Sequence, residues 1–174
     1  TTEGLTAARY EIRLLLEDYE SRSEKLKEVM DLIEELVHQI PMADKLLEIK
    51  GIGIRTVSGF LAEIGDLGRF SNPKQIQKLA GYALKENSSG KHKGQSKINR
   101  RGRKRLRHLL FEAAISLVGK NQEFKAIHHY YTTRKDNPLK KMQSLIAVAC
   151  KLIRVFYAIL VKGVEYDPKK MVSD

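Results

Sequence analysis

The spacing of apolar residues along the chain predicts helices. Residues 5–40 contain neither proline nor glycine. Within them Leu26, Ile33 and Ile40 recur every seven residues, with further apolar positions between them. A seven-residue repeat with charged flanks is typical of a coiled-coil seam. We therefore expect one long helix, or two helices with a weak joint, over this region.

This first helix divides the chain into two predicted domains. Residues 1–41 form a coiled-coil or linker helix, and residues 42–174 form a compact helical domain. The apolar seam has two interpretations, which both stay open. It packs on the protein's own helical domain, or it pairs two protomers and makes the protein a homo-oligomer through residues 5–40.

The rest of the chain continues the helical pattern, with breaks at proline, glycine and asparagine. Residues 82–101 have no apolar period and are rich in serine, glycine, lysine and asparagine, so they are expected to be loop. No segment predicts a convincing strand, and the fold class is all-α. The expected helices cover 43–49, 54–64, 73–80 with Ser71 or Asn72 as its cap, 103–117, 124–131, and a last helix that starts at 136–138 and stops at Gly163.

The turn between the first two short helices has the pattern of a helix-hairpin-helix. Gly51-Ile52-Gly53 allows a sharp turn, and glycine has no Cβ to keep a phosphate away from the backbone. Free N–H groups at the start of the next helix then point at the anion. We expect Lys50, Gly51, Gly53 and Arg55 to contact a DNA backbone. The alternative is an ordinary turn whose isoleucines belong to the core.

Charge favours a polyanionic partner. Lysine and arginine total 32 against 21 acidic residues, which gives a net charge of +11. Nucleic acid is the first candidate and an anionic membrane surface the second. Lys151 and Arg154 interrupt the most apolar stretch, which argues against a membrane span. The single cysteine, Cys150, excludes an intrachain disulfide and a cysteine-based zinc site, and we expect it in the core.

Most of the net positive charge lies between residues 91 and 107, which hold nine basic residues and no acidic one. Part of this run begins a helix, where the helix dipole already favours anions, so the charges would repel without an external anion such as phosphate. A solvated charge run is the less favoured interpretation. The predicted nucleic-acid contacts in this run are Lys91, Lys93, Lys97, Arg100, Arg101, Arg103, Lys104 and Arg107.

A serine lies just before the basic run. Ser89 is followed by a glycine and surrounded by cations, a setting in which a hydroxyl can attack a phosphodiester. Glu86, Lys91 and His92 are local candidates for activating it. From the pattern alone, an ordinary flexible loop is the favoured interpretation of this segment. No metal site is predicted in the chain, and the adjacent pair at His128 and His129 is expected to be packed or exposed.

The order of several short motifs resembles the insertion-sequence 110/116/902 transposase family, whose members are understood as RNA-guided recombinases. The resemblance runs from Leu46 to about Asp167. One position departs from it, since Lys50 stands where the family commonly has proline. The matching pieces are 49–53 with Thr56, 61–66, Arg69-Phe70, 79–82, Ser89-Gly90, Ser96-Lys97, Arg101-Gly102, 106–110, and 162–164 with Asp167.

The resemblance implies a role for Ser89, which falls on the family's serine nucleophile, eight residues after Ala80-Gly81. That serine is thought to form a covalent phosphoserine link to DNA. The family's metal-binding carboxylates lie in a separate N-terminal domain, so Mg²⁺ is expected only with that domain, and no cofactor is expected here. The family's helical coiled-coil region, which residues 5–40 fit, helps protomers assemble.

Together these features predict the C-terminal fragment of a transposase, which binds DNA and supplies a serine nucleophile for strand cleavage and transfer. The expected partners are DNA, a guide RNA in the full-length protein and a second copy of the chain, in a prokaryotic cytoplasm at the nucleoid. We expect the fragment to be inactive alone. Two alternatives stay open: a non-enzymatic nucleic-acid-binding module, or a mainly structural piece assembled through residues 5–40.

Overall fold

A computed structural model describes residues 2–85, 88–89, 92–93 and 97–171. The chain divides into two compact units, Thr1–Gln39 and Ile40–Asp174. The first unit is one uninterrupted helix, α1, at Thr2–His38. The polar stretch at residues 20–24 does not break it, because that stretch contains no residue that interrupts helical hydrogen bonding.

Helix α1 leaves a long series of large apolar side chains exposed. Tyr19 is 71% exposed and Leu26 is 63% exposed. A helix of a soluble protein usually buries such residues against a neighbour. The exposed large apolar residues of α1 are Leu5, Tyr10, Ile12, Leu14, Leu15, Leu16, Tyr19, Leu26, Val29, Leu32 and Leu36.

The second unit is helical throughout its described core, and the predicted all-α class is confirmed. Its helices pack in pairs, with α5 and α7 at the centre and α3, α4 and α6 around them. Two 3₁₀ turns cover Leu67–Arg69 and Pro168–Met171. The helices are α2 Ala43–Leu47, α3 Ile54–Ile64, α4 Pro73–Leu79, α5 Lys104–Lys120, α6 Gln122–Thr133 and α7 Lys141–Lys162.

The core of this unit lies between α3, α5 and α7. Phe60 on α3 meets Phe156 on α7 edge to face, with ring centroids 4.9 Å apart, and both side chains are fully buried. Helix α7 is long and apolar enough to cross a membrane by length and composition. Half of its most apolar stretch is buried inside the fold, as expected for the central helix of a packed domain.

Helix ends account for most differences from the sequence prediction. Helix α2 ends at Leu47, two residues early. Helix α7 begins at Lys141 rather than at 136–138, because Asn137 has a φ of 53° and the Gln143 side chain accepts from the Lys140 amide at the start of the helix. Asn72 occupies the N-cap position of α4 but makes no capping hydrogen bond. Gly163 ends α7 at a φ of 63°, as predicted.

The predicted loop at 82–101 contains short strands that the sequence analysis missed. Strand β1 Leu84–Lys85 pairs antiparallel with β4 Lys97–Ile98, and β2 Ser88–Ser89 pairs antiparallel with β3 His92–Lys93. Strands of two residues are too short to produce a period-two pattern, so nothing in the sequence signals them.

Candidate nucleic-acid interface

Gly51 makes a close approach, but to protein. Its φ is +100°, and a Cβ built there would lie 3.3 Å from the Ser116 carbonyl oxygen on α5. The Ser116 hydroxyl also donates to the Gly51 carbonyl at 2.8 Å. Gly51 is therefore required by the turn itself and by its packing on the C-terminal half of α5.

Gly53 lies in a different environment. It is the N-cap residue of α3, its φ is −122°, and a Cβ built on it would meet no described atom within 4 Å. No side chain caps this end of α3, and its first turn contains no acidic residue. Lys50 and Arg55 are both exposed beside it. This end of α3 leaves backbone N–H groups accessible to an anion, with two cations near them.

The start of α5 is the second accessible helix end. Arg103 is its N-cap residue, no side chain caps the helix, and its first turn contains no acidic residue. Lys104 and Arg105 follow, both exposed, and no described side chain forms an ion pair with either of them. Positive side chains at a helix N-terminus are unfavourable next to the positive end of the helix dipole, so a bound anion stabilises this end.

Two arginines of the same run bond to other parts of the protein instead. Arg103 Nη1 donates to the Glu63 carbonyl oxygen, and its guanidinium lies 3.6 Å from the Glu63 carboxylate. Arg107 is only partly exposed, and its Nη1 donates to the backbone carbonyls of Ala80 and Arg100, at 3.2 Å each. The nine basic residues predicted as one surface therefore include side chains that hold the fold.

The two accessible helix ends lie at opposite ends of one helix pair. Glu63, in the last turn of α3, contacts Arg103 at the start of α5, whereas Gly51, just before α3, packs on the end of α5. The 11 residues of α3 span about 16 Å at 1.5 Å per residue. The major groove of DNA is about 12 Å wide, which is somewhat less than this separation.

Folding brings additional cations to both ends that sequence reasoning missed. Lys120 lies 69 residues after Gly51 along the chain, yet its Cβ would be 3.5 Å from a Cβ built on Gly51. Lys78 lines a cavity of about 480 Å³ beside the start of α5. No local signal marks either lysine, because only the packing of distant helices places them. The cavity is lined by Phe70, Gln75, Lys78, Leu79, Arg101, Gly102 and Arg103.

Ser89 lies in β2, and the register makes His92 its Cα partner across the ladder. Directly opposed residues of antiparallel strands have Cα atoms about 4.5–5.5 Å apart. Lys93 is the Cα partner of Ser88, and Lys97 is the Cα partner of Lys85. Two other predicted participants, Glu86 and Lys91, lie outside the described residues.

The remaining chemically active side chains have structural partners. The Ser144 hydroxyl is fully buried and lies 2.8 Å from His128 Nδ1, which ties α6 to α7. Burial, followed by the positive charge of nearby Lys141, lowers the pKa of His128. Burial also raises the pKa of the Cys150 thiol to about 11. Within the described ranges, no three histidine, cysteine, aspartate or glutamate side chains come together to hold a metal.

Comparison with known proteins adds an independent observation. Residues 43–129, half of the chain, match the family described as Transposase IS116/IS110/IS902 family. The match extends from α2 to α6 and so includes both accessible helix ends and Ser89.

Relatives from several bacteria match over most of the chain. It is 26% identical over 137 residues to the insertion element IS110 uncharacterized 43.6 kDa protein of Streptomyces coelicolor, which covers 79% of this chain and 33% of that protein. It is 25% identical over 138 residues to the insertion element IS900 uncharacterized 42 kDa protein of Mycobacterium paratuberculosis, with 79% and 34% covered.

A third relative carries a functional name. The chain is 29% identical over 127 residues to the putative transposase y4rJ of Sinorhizobium fredii, with 71% of this chain and 32% of that protein covered. The chain thus spans about a third of the length of the relatives it matches. The family match over half of the sequence, supported by these relatives, identifies the chain as a member of the IS116/IS110/IS902 transposase family.

Proposed function

We propose that this chain is the C-terminal, DNA-binding part of an insertion-sequence transposase and that it supplies Ser89 as the nucleophile for strand cleavage and transfer. One observation carries the DNA-binding part: the start of α5 presents exposed cations at a helix end without a cap or an acidic residue. A phosphate backbone satisfies the N–H groups and the side chains together.

The turn between α2 and α3 provides a second contact with the DNA backbone, of the kind that a helix-hairpin-helix makes. Lys50 and Arg55 are exposed beside Gly53, and Lys120 joins them from α5. Backbone contacts of this kind fix position on the duplex without reading its sequence. Together with Arg100, Arg101, Lys104, Arg105, Lys91, Lys93 and Lys97, these residues form the proposed contact set.

The catalytic part of the proposal is an in-line attack by the Ser89 hydroxyl on a phosphodiester phosphorus. The Ser89 oxygen forms a bond to phosphorus, the bond to one deoxyribose oxygen breaks, and that oxygen leaves with a proton. Among the local candidates for accepting the serine proton, the strand register favours His92, since it is the Cα partner of Ser89. Nearby cations would stabilise the charge that develops on phosphorus.

Other partners follow from the family and from α1. We propose that a guide RNA aligns the DNA strands in the full-length protein, and that Mg²⁺ binds carboxylates in the rest of it. A second copy of the chain is the proposed occupant of the apolar surface of α1, whose residues recur at coiled-coil spacing and are exposed. The reaction then takes place in the bacterial cytoplasm, on chromosomal DNA.

Strand transfer by the full-length protein tests the serine. Ser89→Ala is expected to abolish transfer while DNA affinity stays within about twofold, because removing one hydroxyl changes no phosphate charge contact. Ser88→Ala is the matched control, since it removes a hydroxyl one residue away and is expected to keep transfer. Equal activity of both variants and the unaltered protein would contradict the serine mechanism and favour a non-enzymatic DNA-binding module.

A further inference from the structure

Two adjacent runs of chain flank the segment that carries Ser89 in sequence. We call residues 79–84 and 98–103 the neck. Backbone hydrogen bonds join the runs directly: Asn99 N donates to the Ala83 carbonyl at 2.7 Å, and Arg100 N donates to the Gly81 carbonyl at 3.0 Å. A further hydrogen bond, from Arg103 N to Leu79 O at 2.8 Å, joins the two runs at the start of α5.

The side chain of Arg107 bridges the two runs of the neck. Its Nη1 donates to Ala80 O in the first run and to Arg100 O in the second, at 3.2 Å in each case. A single guanidinium nitrogen thus ties the outgoing chain to the returning chain. Both carbonyls would lose a partner if this nitrogen were removed, and the loss is unfavourable at the part-buried Ala80 carbonyl.

Arg107 is itself held in place by Tyr82. The Tyr82 side chain is 4% exposed, and its hydroxyl donates to the Arg107 carbonyl at 2.8 Å. Burial raises the pKa of the Tyr82 phenol, so the hydroxyl keeps the proton that it donates. The first run of the neck is therefore attached to α5 by hydrogen bonds in both directions.

Two glycines permit the close approach of the two runs. Gly81 has a φ of +77°, and a Cβ there would lie 2.7 Å from Arg107 Nη1 and 3.1 Å from the carbonyl carbon of Arg100. A Cβ on Gly102 would collide with the Leu79 carbonyl oxygen and would lie 2.7 Å from Gly81 N. The two runs of the neck therefore pack so closely that a side chain at either glycine would displace backbone atoms or the Arg107 guanidinium.

We propose that Arg107 is a positioning residue that holds the Ser89 segment at the start of α5, and not a phosphate contact. The inference rests on the proposed function, since Ser89 must be the nucleophile for its position to matter. Arg105 offers a direct comparison. It lies two residues earlier on the same helix and is exposed, whereas Arg107 donates to protein carbonyls.

Arg107→Met tests the proposal, with Arg105→Met as the matched variant and Arg154→Met, an exposed arginine on α7, as a control for charge. Amide hydrogen exchange at Asn99, Arg100 and Arg103 reports on the neck. Arg107→Met is expected to accelerate exchange there by roughly 5–30-fold. The salt slope of DNA binding is expected to stay that of the unaltered chain, while Arg105→Met lowers the slope by about 0.9 and leaves neck exchange unchanged.

The catalytic readout uses the full-length protein and the rate of covalent adduct formation at saturating DNA. Arg107→Met is expected to reduce this rate by a similar factor, roughly 5–30-fold, with the DNA concentration for half-maximal rate unchanged. Arg107→Lys keeps a donor in reach of the two carbonyls and is expected to restore most of the rate. Tyr82→Phe changes no charge and is a milder variant if Arg107→Met fails to fold; it is expected to accelerate neck exchange and slow adduct formation.

Three results would overturn the proposal. The first is a salt slope lowered by about 0.9 in Arg107→Met with neck exchange unchanged, which is the behaviour of a phosphate contact. The second is faster neck exchange with an unchanged rate of adduct formation. The third is a Tyr82→Phe protein that matches the unaltered one in both readouts.

Failure of the proposed function has a different signature: Ser89→Ala would then still form the adduct, while hydrogen exchange and salt slope would continue to report on the neck.

Discussion

The two ends of the α3–α5 pair both present a helix N-terminus to solvent, but they are built differently. At the hairpin end, two exposed cations flank a turn whose close contact, at Gly51, is with α5. At the α5 end, cations are numerous, and they divide into exposed side chains and side chains bonded to protein carbonyls. The difference shows that the dense charge run contains both exposed cations and cations that bond to the protein. At the hairpin end, the cations are exposed and available to a ligand.

Neutralising the exposed cations at the α5 end should have the largest effect on DNA affinity. The triple variant Arg101→Gln, Lys104→Gln, Arg105→Gln is expected to weaken binding by about a hundredfold at 0.2 M salt and to lower the salt slope by about 2.7, since each phosphate contact contributes about 0.9. Fluorescence anisotropy with a labelled duplex over a range of salt concentrations measures both. Unchanged affinity and slope would remove the α5 end from the interface.

The hairpin end should show a smaller effect of the same kind. Lys50→Gln with Arg55→Gln is expected to weaken binding by roughly tenfold and to lower the slope by about 1.8. The same anisotropy titration measures this, and combination with the triple variant tests whether both ends contact the same duplex. If they do, the losses in slope add; if the double variant alters nothing on its own, the hairpin is a structural turn.

The two hairpin glycines separate packing from DNA contact. Gly51→Ala places a Cβ against the Ser116 carbonyl at a positive φ and is expected to lower the free energy of unfolding by about 1–3 kcal/mol. Gly53→Ala enters open space at a negative φ and is expected to change it by less than about 0.5 kcal/mol. Chemical denaturation measures both. DNA affinity should fall a few-fold in folded Gly53→Ala, where the Cβ stands between the backbone and a phosphate; an unaffected affinity would place the DNA elsewhere.

The rate of Cys150 alkylation should show whether the helical unit stays folded in the charge variants. Cys150 itself is expected to have no effect on DNA binding. Burial raises the pKa of its thiol to about 11, above the usual value of 9.0, so less thiolate is present at pH 8 and alkylation is slow. The rate should increase as the pH rises toward 11, and it should stay slow at pH 8 in each charge variant. Iodoacetamide labelling followed by mass spectrometry measures it. Rapid labelling of a charge variant at pH 8 would mean that its loss of DNA binding comes from unfolding.

The helices were predictable because each has strong local signals. Pro73 starts α4, Gly163 stops α7, and the apolar period of α3 gives its bounds at Ile54 and Ile64. The start of α7 was predicted too early, because the Asp136-Asn137-Pro138 segment resembles a helix start, whereas the turn continues to Lys140. The two-residue ladders at 84–98 were not predictable. The β1–β4 ladder pairs residues that are 12 and 14 positions apart, and the β2–β3 ladder is too short to show an alternating pattern.

The basic run was visible in the sequence, but the division of its roles was not. Exposed Lys104 and inward-facing Arg107 have similar sequence surroundings, and only the position of the Ala80 and Arg100 carbonyls separates them. The sequence around Gly51 gives no indication of Lys120. Lys120 is the last residue of the 17-residue helix α5, and it comes close to Gly51 only because α5 packs there. Composition predicts a nucleic-acid surface, and packing decides which cations are available to form it.

The central claim is that Ser89 becomes covalently attached to DNA at the surface formed by the start of α5. The most direct test is covalent trapping by the full-length protein with guide RNA, Mg²⁺ and a nicked DNA target, followed by peptide mass spectrometry of the protein–DNA adduct. The account predicts an adduct on the peptide that contains Ser89, absent in Ser89→Ala and present in Ser88→Ala. An adduct on another residue, or none while recombination proceeds, would contradict it and leave this chain as a DNA-binding domain.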